Sequence, residues 1–144
     1  MDTDRIEKTA VLKAPRSRVW RAISDSGEFG IWFGVEFAGA FAPGAEMRGH
    51  LTALNNAAGR PITIVVERIE PESLFSYRWH PTDTPDDPMT LVEFRLEELA
   101  EGTRLTITES GFENVASARR KHAFEDNSEG WGIQIERIAR HVGG

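Results

Sequence analysis

One carboxylate stands out among the residues of this sequence that could do chemistry. Glu109 shares a predicted strand face with Leu105 and Ile107, because side chains two positions apart in a strand point to the same side. A carboxylate in line with two core aliphatics must find a partner, hold a raised pKa through loss of water, or reach a wet pocket. The alternative is that Glu109, near the end of its strand, simply meets water.

Aromatic side chains supply further candidates for a binding site. Phe75, Tyr77 and Trp79 alternate along one predicted strand, and Phe94 lies on the core-facing side of another, with Val92. Tyrosine and tryptophan combine a large apolar area with one polar atom that can meet a ligand. Filling an ordinary core is the commoner role of such aromatics, and only a void beside them would distinguish the two roles.

A tryptophan between two glycines marks the last predicted helix. Gly130 and Gly132 flank Trp131, and each glycine inside a helix costs about 1 kcal/mol relative to alanine. Glycine allows close approach, so the pair predicts room for the sheet, for a ligand or for a kink at a cavity mouth. The alternative is a helix that begins late, with Ser128 as its N-cap.

Other kinds of chemistry find little support in the sequence. The absence of cysteine excludes disulfides, a thiolate nucleophile and cysteine-ligated metals. No GxSxG motif, phosphate-binding glycine loop or HExxH motif occurs, so we predict no metal site and no cofactor, and catalysis has no motif in its favour. Exposed or edge positions are expected for the four histidines: His50, His80, His122 and His141.

The net charge of the chain and its lack of long apolar stretches indicate which binding partners and which cellular compartment to expect. The 144 residues include 17 basic and 23 acidic ones, a formal net charge of −6 that disfavours nucleic acid and anionic membranes. Residues 1–5 lack the basic and apolar regions of a secretory signal, and the apolar stretch Ile31 to Ala45 is too short and too broken to span a bilayer. We therefore expect a cytoplasmic protein.

The elements that must position these residues begin with a strand and two helices. Ile6 to Lys13 predicts a strand, and a helix follows from Pro15 to about Asp25. Asp25 and Glu28 have the spacing of a capping box at the start of a second short helix, which Gly34 closes.

The rest of the chain predicts a sheet and one long helix, hence an α+β class in a single domain over residues 1–144. Phe124, Trp131 and Ile138 share one face of an amphipathic helix over Ser117 to Val142. A loop from Thr82 to Pro88 is expected to be mobile and exposed. The predicted strands are antiparallel and cover Glu36 to Ala40, Ala45 to Leu54, Pro61 to Ile69, Leu74 to His80, Met89 to Leu99 and Thr103 to Ser110.

The order of these elements, with particular residues, resembles the START-like or SRPBCC superfamily, also called birch-pollen-allergen-like. Within it, the chain is most similar to the branch named for the activator of the 90-kDa heat-shock chaperone ATPase. The resemblance implies a helix-grip fold, in which a curved antiparallel sheet of about six or seven strands wraps around the C-terminal helix and encloses a cavity. It rests on Ala14-Pro15, Trp32-Phe33-Gly34, Pro43-Gly44, Ile69-Glu70-Pro71, Tyr77-Arg78-Trp79, Gly102-Thr103-Arg104, Gly111-Phe112 and Gly130-Trp131.

Three functions are compatible with that resemblance. The preferred one is binding of a small hydrophobic or amphipathic molecule between sheet and helix. The second is a stress-response role, in which the protein binds the chaperone and activates its ATPase, and the third is catalysis of the cyclase or aromatase type, with Glu109 and Tyr77 as acid or base groups. Trp32 and Phe33 resemble the family's cavity entrance, although packing against the sheet is the commoner role. The candidate ligand-binding residues are Trp32, Phe33, Phe75, Tyr77, Trp79, Phe94, Glu109, Phe124 and Trp131.

Overall fold

Short β-rich runs followed by a long amphipathic stretch fold as the sequence predicts. The computed structural model describes residues 5–52, 58–81 and 88–143. Three helices, α1 (Arg16–Ser24), α2 (Ser26–Phe33) and α3 (Ser117–His141), accompany seven strands in these residues, together with a 3-10 turn over Phe112–Asn114. The strands are β1 (Arg5–Leu12), β2 (Val35–Phe37), β3 (Glu46–Leu51), β4 (Pro61–Glu70), β5 (Leu74–Trp79), β6 (Thr90–Leu99) and β7 (Gly102–Ser110).

All seven strands form one antiparallel sheet in the order β1-β7-β6-β5-β4-β3-β2. A bulge between Val66 and Arg68 of β4 interrupts the register with β5, and such bulges bend a strand and increase its twist. The curved sheet and the long C-terminal helix confirm the predicted helix-grip fold. Tyr77 lies opposite Val92, and Val92 lies opposite Glu109, so the three side chains form a row across the concave face.

The two short helices form a corner that leads into the sheet. Gly34 ends α2 in the left-handed conformation, with φ of 90°. The indole of Trp32 donates a 2.8 Å hydrogen bond to the carbonyl of Ala22 and so ties α2 to α1. The predicted capping box is wrong, because Asp25 occupies the N-cap position without a side-chain hydrogen bond and Glu28 turns towards cationic residues instead.

The partners of the Glu28 carboxylate come from two helices. Arg18 and Arg21 of α1 lie 2.5 and 3.0 Å from the Glu28 carboxylate, and His141 at the end of α3 lies 2.9 Å from it. Burial alone would raise the pKa of Glu28, but these hydrogen bonds and the charge of Arg18 lower it below its ordinary value. The expectation of an exposed or edge histidine is thus wrong for His141, which is largely buried in this cluster.

Several predicted boundaries also change. The strand predicted from Glu36 to Ala40 ends at Phe37, because Gly39 has a φ of 95° that a strand cannot continue through. Helix α3 runs without a break from Ser117, so a late start at Ser128 is wrong. Residues 53–57, at the end of one predicted strand, and residues 82–87 of the predicted mobile loop lie outside the described residues.

The concave face of the sheet is filled by packed aromatic rings. The ring of Phe29 in α2 packs against three aromatic rings of the sheet. Its centroid lies 6.0 to 6.4 Å from those of Phe75, Tyr77 and Phe94. All four side chains are buried, and their tilted and edge-on geometries are those that aromatic pairs prefer. No helix in the described parts of the chain is long and apolar enough to cross a membrane.

Candidate functional site

Glu109 is buried and surrounded by hydrogen-bond donors. Its side chain is 0% exposed at the concave face of β7. One carboxylate oxygen accepts bonds from the Thr90 hydroxyl at 2.5 Å and the Trp79 indole at 2.9 Å. The other accepts a 2.8 Å bond from the Trp131 indole, and the Asn127 amide lies 3.2 Å from both oxygens.

Sheet register and helical spacing bring these donors together. Trp79 lies directly opposite Thr90 in the β5–β6 ladder, two residue pairs beyond the row that contains Glu109 and therefore on the same face of the sheet. Asn127 and Trp131 are four residues apart on α3 and therefore share the helix face that packs over the sheet. Strands β5 and β6 and helix α3 thus each supply hydrogen-bond donors to the Glu109 carboxylate.

The donor set suits the ionised form of Glu109. Indole N–H groups only donate, so a proton on the carboxyl group would need the Thr90 hydroxyl or the amide oxygen of a reoriented Asn127 as its acceptor. Loss of water nevertheless raises the pKa of Glu109, and the hydrogen bonds from Thr90, Trp79, Trp131 and Asn127 only partly offset it. No Lys, Arg or His within the described ranges forms an ion pair with this carboxylate.

The alternative in which Glu109 meets water is therefore wrong. Of the outcomes expected for a carboxylate in line with core aliphatics, the structure shows hydrogen-bonded partners and a raised pKa. An anion that is buried without a cation is costly, and such groups are found preferentially at functional sites.

A partly open pocket of about 110 Å³ lies against these donors. It is bounded by the end of α2, the end of β5 and the middle of α3. Pockets that enclose a whole drug-sized ligand are about 300–1,000 Å³, so this one accommodates a small group only. Its lining residues are Phe33, Trp79, Asp126, Asn127, Gly130, Trp131 and Gln134.

The predicted site residues fall into three groups. Phe33, Trp79 and Trp131 line the pocket, and their ring centroids lie 5.6 to 6.1 Å apart. Glu109 lies directly behind two of these rings, as their shared hydrogen-bond acceptor. The structure places Trp32, Phe75, Tyr77 and Phe94 in the closed aromatic core, and Phe124 partly buried beside Phe112, away from the pocket lining.

Tyr77 is enclosed without a hydrogen-bond partner. Its side chain is 1% exposed, and its hydroxyl makes no hydrogen bond within the described residues. Burial, together with the negative charge of Glu109, raises the pKa of Tyr77 well above the ordinary value of a tyrosine. Since Tyr77 and Glu109 do not line the pocket, the structure does not bring them together on an accessible surface where acid–base chemistry could act on a substrate.

Sequence reasoning missed four polar residues of this site. Asp126 is exposed and gave no signal in the sequence, but the other three did. Thr90 is two positions before Val92 in the same strand, so its side chain points to the same, core-facing side. The sequence therefore already showed a polar residue on that side. Asn127 and Gln134 lie four residues before and three residues after Trp131, on the apolar face of α3. Polar residues on an otherwise buried face were the signal for all three.

The space beside the two glycines that flank Trp131 is open. A Cβ built on Gly130 or Gly132 has no heavy atom within 4 Å, outside the neighbouring helix backbone. Close approach of the sheet is therefore not the reason for these glycines. Gly130 borders the pocket whereas Gly132 does not, so room for a ligand remains an explanation at Gly130 alone.

A sequence profile of the family described as Activator of Hsp90 ATPase homolog 1-like protein matches residues 13–143. The chain belongs to this family. The match extends from the end of β1 to the end of α3 and includes every pocket-lining residue. A comparison with curated protein sequences finds no match.

Solved structures share the fold of this chain. Protein MLL2253 from Mesorhizobium loti is 20% identical over 96% of both chains, with a TM-score of 0.78. The Aha1 dimer from Colwellia psychrerythraea is 16% identical over 96% of this chain and 95% of that one, with a TM-score of 0.75. DynU16, from the dynemicin biosynthetic locus, is 25% identical over 96% of this chain and 47% of its own, with a TM-score of 0.76.

Proposed function

We propose that this family member binds a small hydrophobic or amphipathic molecule in the pocket between β5 and α3. The observation that carries the proposal is the double role of Trp79 and Trp131, which line the pocket and also donate to the buried carboxylate of Glu109. Hydrogen bonds of this kind hold aromatic side chains in place before a ligand arrives, which reduces the entropy cost of binding.

The pocket's size fixes how much of a ligand it takes. A dry cavity of about 150 Å³ accepts benzene in another protein. The present pocket, at about 110 Å³ and partly open, suits one end of a molecule while the remainder lies outside. The association of DynU16 with a biosynthetic locus is consistent with a small-molecule partner.

Nuclear magnetic resonance of the indole N–H groups tests this proposal directly. Benzyl alcohol is a suitable probe, because it joins a ring to one polar group. Its titration should shift the signals of Trp79 and Trp131 in a saturable way. The signal of Trp32 is the internal control and should stay in place, since its indole donates to Ala22 inside the closed core.

Two glycine variants provide a matched pair. Gly130→Ala and Gly132→Ala should each stabilise α3 by about 1 kcal/mol, because neither added methyl group meets protein atoms. Only Gly130→Ala places its methyl group in the pocket, so it alone should weaken benzyl alcohol binding. Equal binding by both variants, or unchanged indole signals in the native protein, would show that this pocket takes no such ligand.

A second candidate function is stimulation of the chaperone ATPase, as the family description suggests. Two exposed apolar side chains are candidate contact points for a protein partner: Ile31 on α2 is 67% exposed and Ile133 on α3 is 47% exposed. In an ATPase assay with the 90-kDa heat-shock protein, Ile31→Glu and Ile133→Glu should abolish stimulation while benzyl alcohol binding persists. An ATPase rate that the native protein leaves unchanged would exclude this candidate.

A further inference from the structure

We propose that the pocket selects an amphipathic ligand whose buried end is a protonated amine, in preference to a neutral or anionic molecule of the same shape. This inference rests on the proposed ligand-binding function and adds the chemical class of the guest. Three features of the described residues support it: the charges around the pocket, the aromatic wall and one unpaired acceptor.

The charges at the pocket are negative. Among the described residues that line the pocket, Asp126 alone carries a formal charge, and Glu109 accepts hydrogen bonds from the indoles of Trp79 and Trp131. Glu109 has hydrogen-bond donors but no cation as partner in the described chain, so the negative charge of its ionised form is not neutralised locally. A cation in the pocket would interact favourably with both carboxylates, and water would screen the interaction with buried Glu109 less than that with Asp126, whose side chain is 62% exposed.

The aromatic wall also suits a cation. The faces of aromatic rings are negative, and ammonium groups are attracted to them within about 6 Å of the ring centre, most strongly by tryptophan. Trp79 and Trp131 donate their N–H groups to Glu109, which directs the positive edge of each indole towards the carboxylate. Phe33 completes a group of three rings around the same space.

An unpaired acceptor in the lining calls for a donor. Gln134 is 8% exposed, and its Nε2 donates a 3.0 Å hydrogen bond to the carbonyl of Phe33, while its buried Oε1 has no partner. The Phe33 carbonyl can only accept, which fixes the amide orientation and leaves oxygen as the free atom. An ammonium N–H would satisfy this oxygen, whereas a carboxylate guest could not.

Two basic residues of α3 that contact residues of the pocket do not reverse this preference. His122 pairs with Asp126 at 3.1 Å on the exposed side of α3, and Arg137 donates to the Phe33 carbonyl at 3.4 Å. Neither residue belongs to the pocket lining. A protonated amine on a short apolar group therefore matches the pocket best, with its N–H groups towards Gln134 and Asp126 and its apolar part against the rings.

Three probes of one shape and different charge test the inference. Benzylamine is protonated at neutral pH, benzyl alcohol is neutral and benzoate is an anion. Dissociation constants come from the indole N–H shifts of Trp79 and Trp131. Benzylamine should bind about tenfold more tightly than benzyl alcohol, the ratio expected for a partly desolvated cation over aromatic rings, and benzoate should bind most weakly.

Charge-removing variants identify the source of the preference. Glu109→Gln should abolish the advantage of benzylamine while benzyl alcohol still binds, and Glu93→Gln, on the opposite face of the sheet, should change neither. Because a substitution at the buried site could disturb folding, Asp126→Asn on the exposed rim is a second variant, with exposed Glu125→Gln as its control. Asp126→Asn should reduce the preference by about threefold, as expected for a single charge near the surface.

The outcomes separate this inference from the proposed function. Equal binding of benzylamine and benzyl alcohol, or tighter binding of benzoate, would overturn the amine preference and leave ligand binding intact. Failure of all three probes to shift the indole signals would overturn both. An amine preference that survives Glu109→Gln and Asp126→Asn would also contradict the inference, because the carboxylates would then not be its cause.

Discussion

Glu109 shows how a carboxyl group can be buried without a cation as its partner. Thr90, Trp79, Trp131 and Asn127 each donate to it, and hydrogen bonds to charged groups are individually stronger than those between neutral ones. Replacement by an apolar residue of similar size is often neutral or stabilising at such buried charges. A functional demand on the carboxylate therefore explains its presence better than stability does.

The raised pKa of Glu109 predicts how stability depends on pH. A carboxyl group whose pKa is raised by folding contributes fully to the unfolding free energy below its ordinary value near 4.5, and this contribution is lost as the pH rises through the folded-state pKa. Relative to Glu109→Gln, the native protein should thus lose stability as the pH rises from 4.5. Urea denaturation of both proteins over pH 4 to 8 measures the difference, in which other titrating groups cancel. Parallel stability curves would show that burial leaves the pKa unchanged.

The unpaired hydroxyl of Tyr77 predicts a stabilising substitution. Tyr77→Phe removes a buried polar atom that has no partner among the described residues and keeps the ring, so the free energy of unfolding should rise by about 1 kcal/mol. Tyr77→Ala at the same position should lower it by about 3 to 5 kcal/mol, because it opens a cavity. Thermal and urea unfolding measure both, and a loss of stability in Tyr77→Phe would mean that the hydroxyl has an unrecognised partner.

At the level of elements, Glu28 connects all three helices. Glu28→Gln removes the charge that Arg18, Arg21 and His141 share, and should lower the free energy of unfolding by about 2 kcal/mol at pH 7. Since folding lowers the pKa of Glu28, its contribution is present above the ordinary value and is lost as the pH falls through the folded-state pKa. Calorimetry at pH 7 and at pH 3 should show a large difference between the two proteins only at the higher pH.

The elements themselves could be predicted because their signals are local. Strand alternation, the 3.6-residue spacing of α3 and the turn formers between the strands identify the order of β1 to α3 within short windows. The capping box failed because Glu28 found partners on α1 and α3, one of which lies 113 positions away. Local spacing carries no information about such distant partners.

The site was predictable only in part for the same reason. Parity within β7 marked Glu109, but its partners come from β5, β6 and α3, and the register of the sheet decides which of them meet. The depth of the pocket depends on how the aromatic core closes, which places Phe75 and Phe94 inside and leaves Phe33 at the surface of the pocket. This is a property of three-dimensional packing.

Across the whole molecule, the sheet order predicts where the fold opens first. Strands β5, β6 and β7 have neighbours on both sides, whereas β2 is an edge of three residues, Val35–Phe37. Amide hydrogens of the central strands should exchange only through global unfolding, and those of β2 through local opening at least a hundredfold faster, on the order of the range seen within single domains. Native-state hydrogen exchange in low urea measures this, and uniform protection across the sheet would contradict it.

The contact between Trp79 and Trp131 also gives the protein a built-in optical reporter. Their ring centroids lie 5.6 Å apart with planes inclined by 32°, close enough for the electronic transitions of the two indoles to couple. Coupling of the strong indole transitions produces a paired band in the far-ultraviolet circular dichroism spectrum, and its sign and intensity depend on the angle between the rings. A ligand that rotates either indole would therefore change the circular dichroism spectrum of the unlabelled protein. Protonation of Glu109 would do the same if it broke the hydrogen bond to one of the indoles.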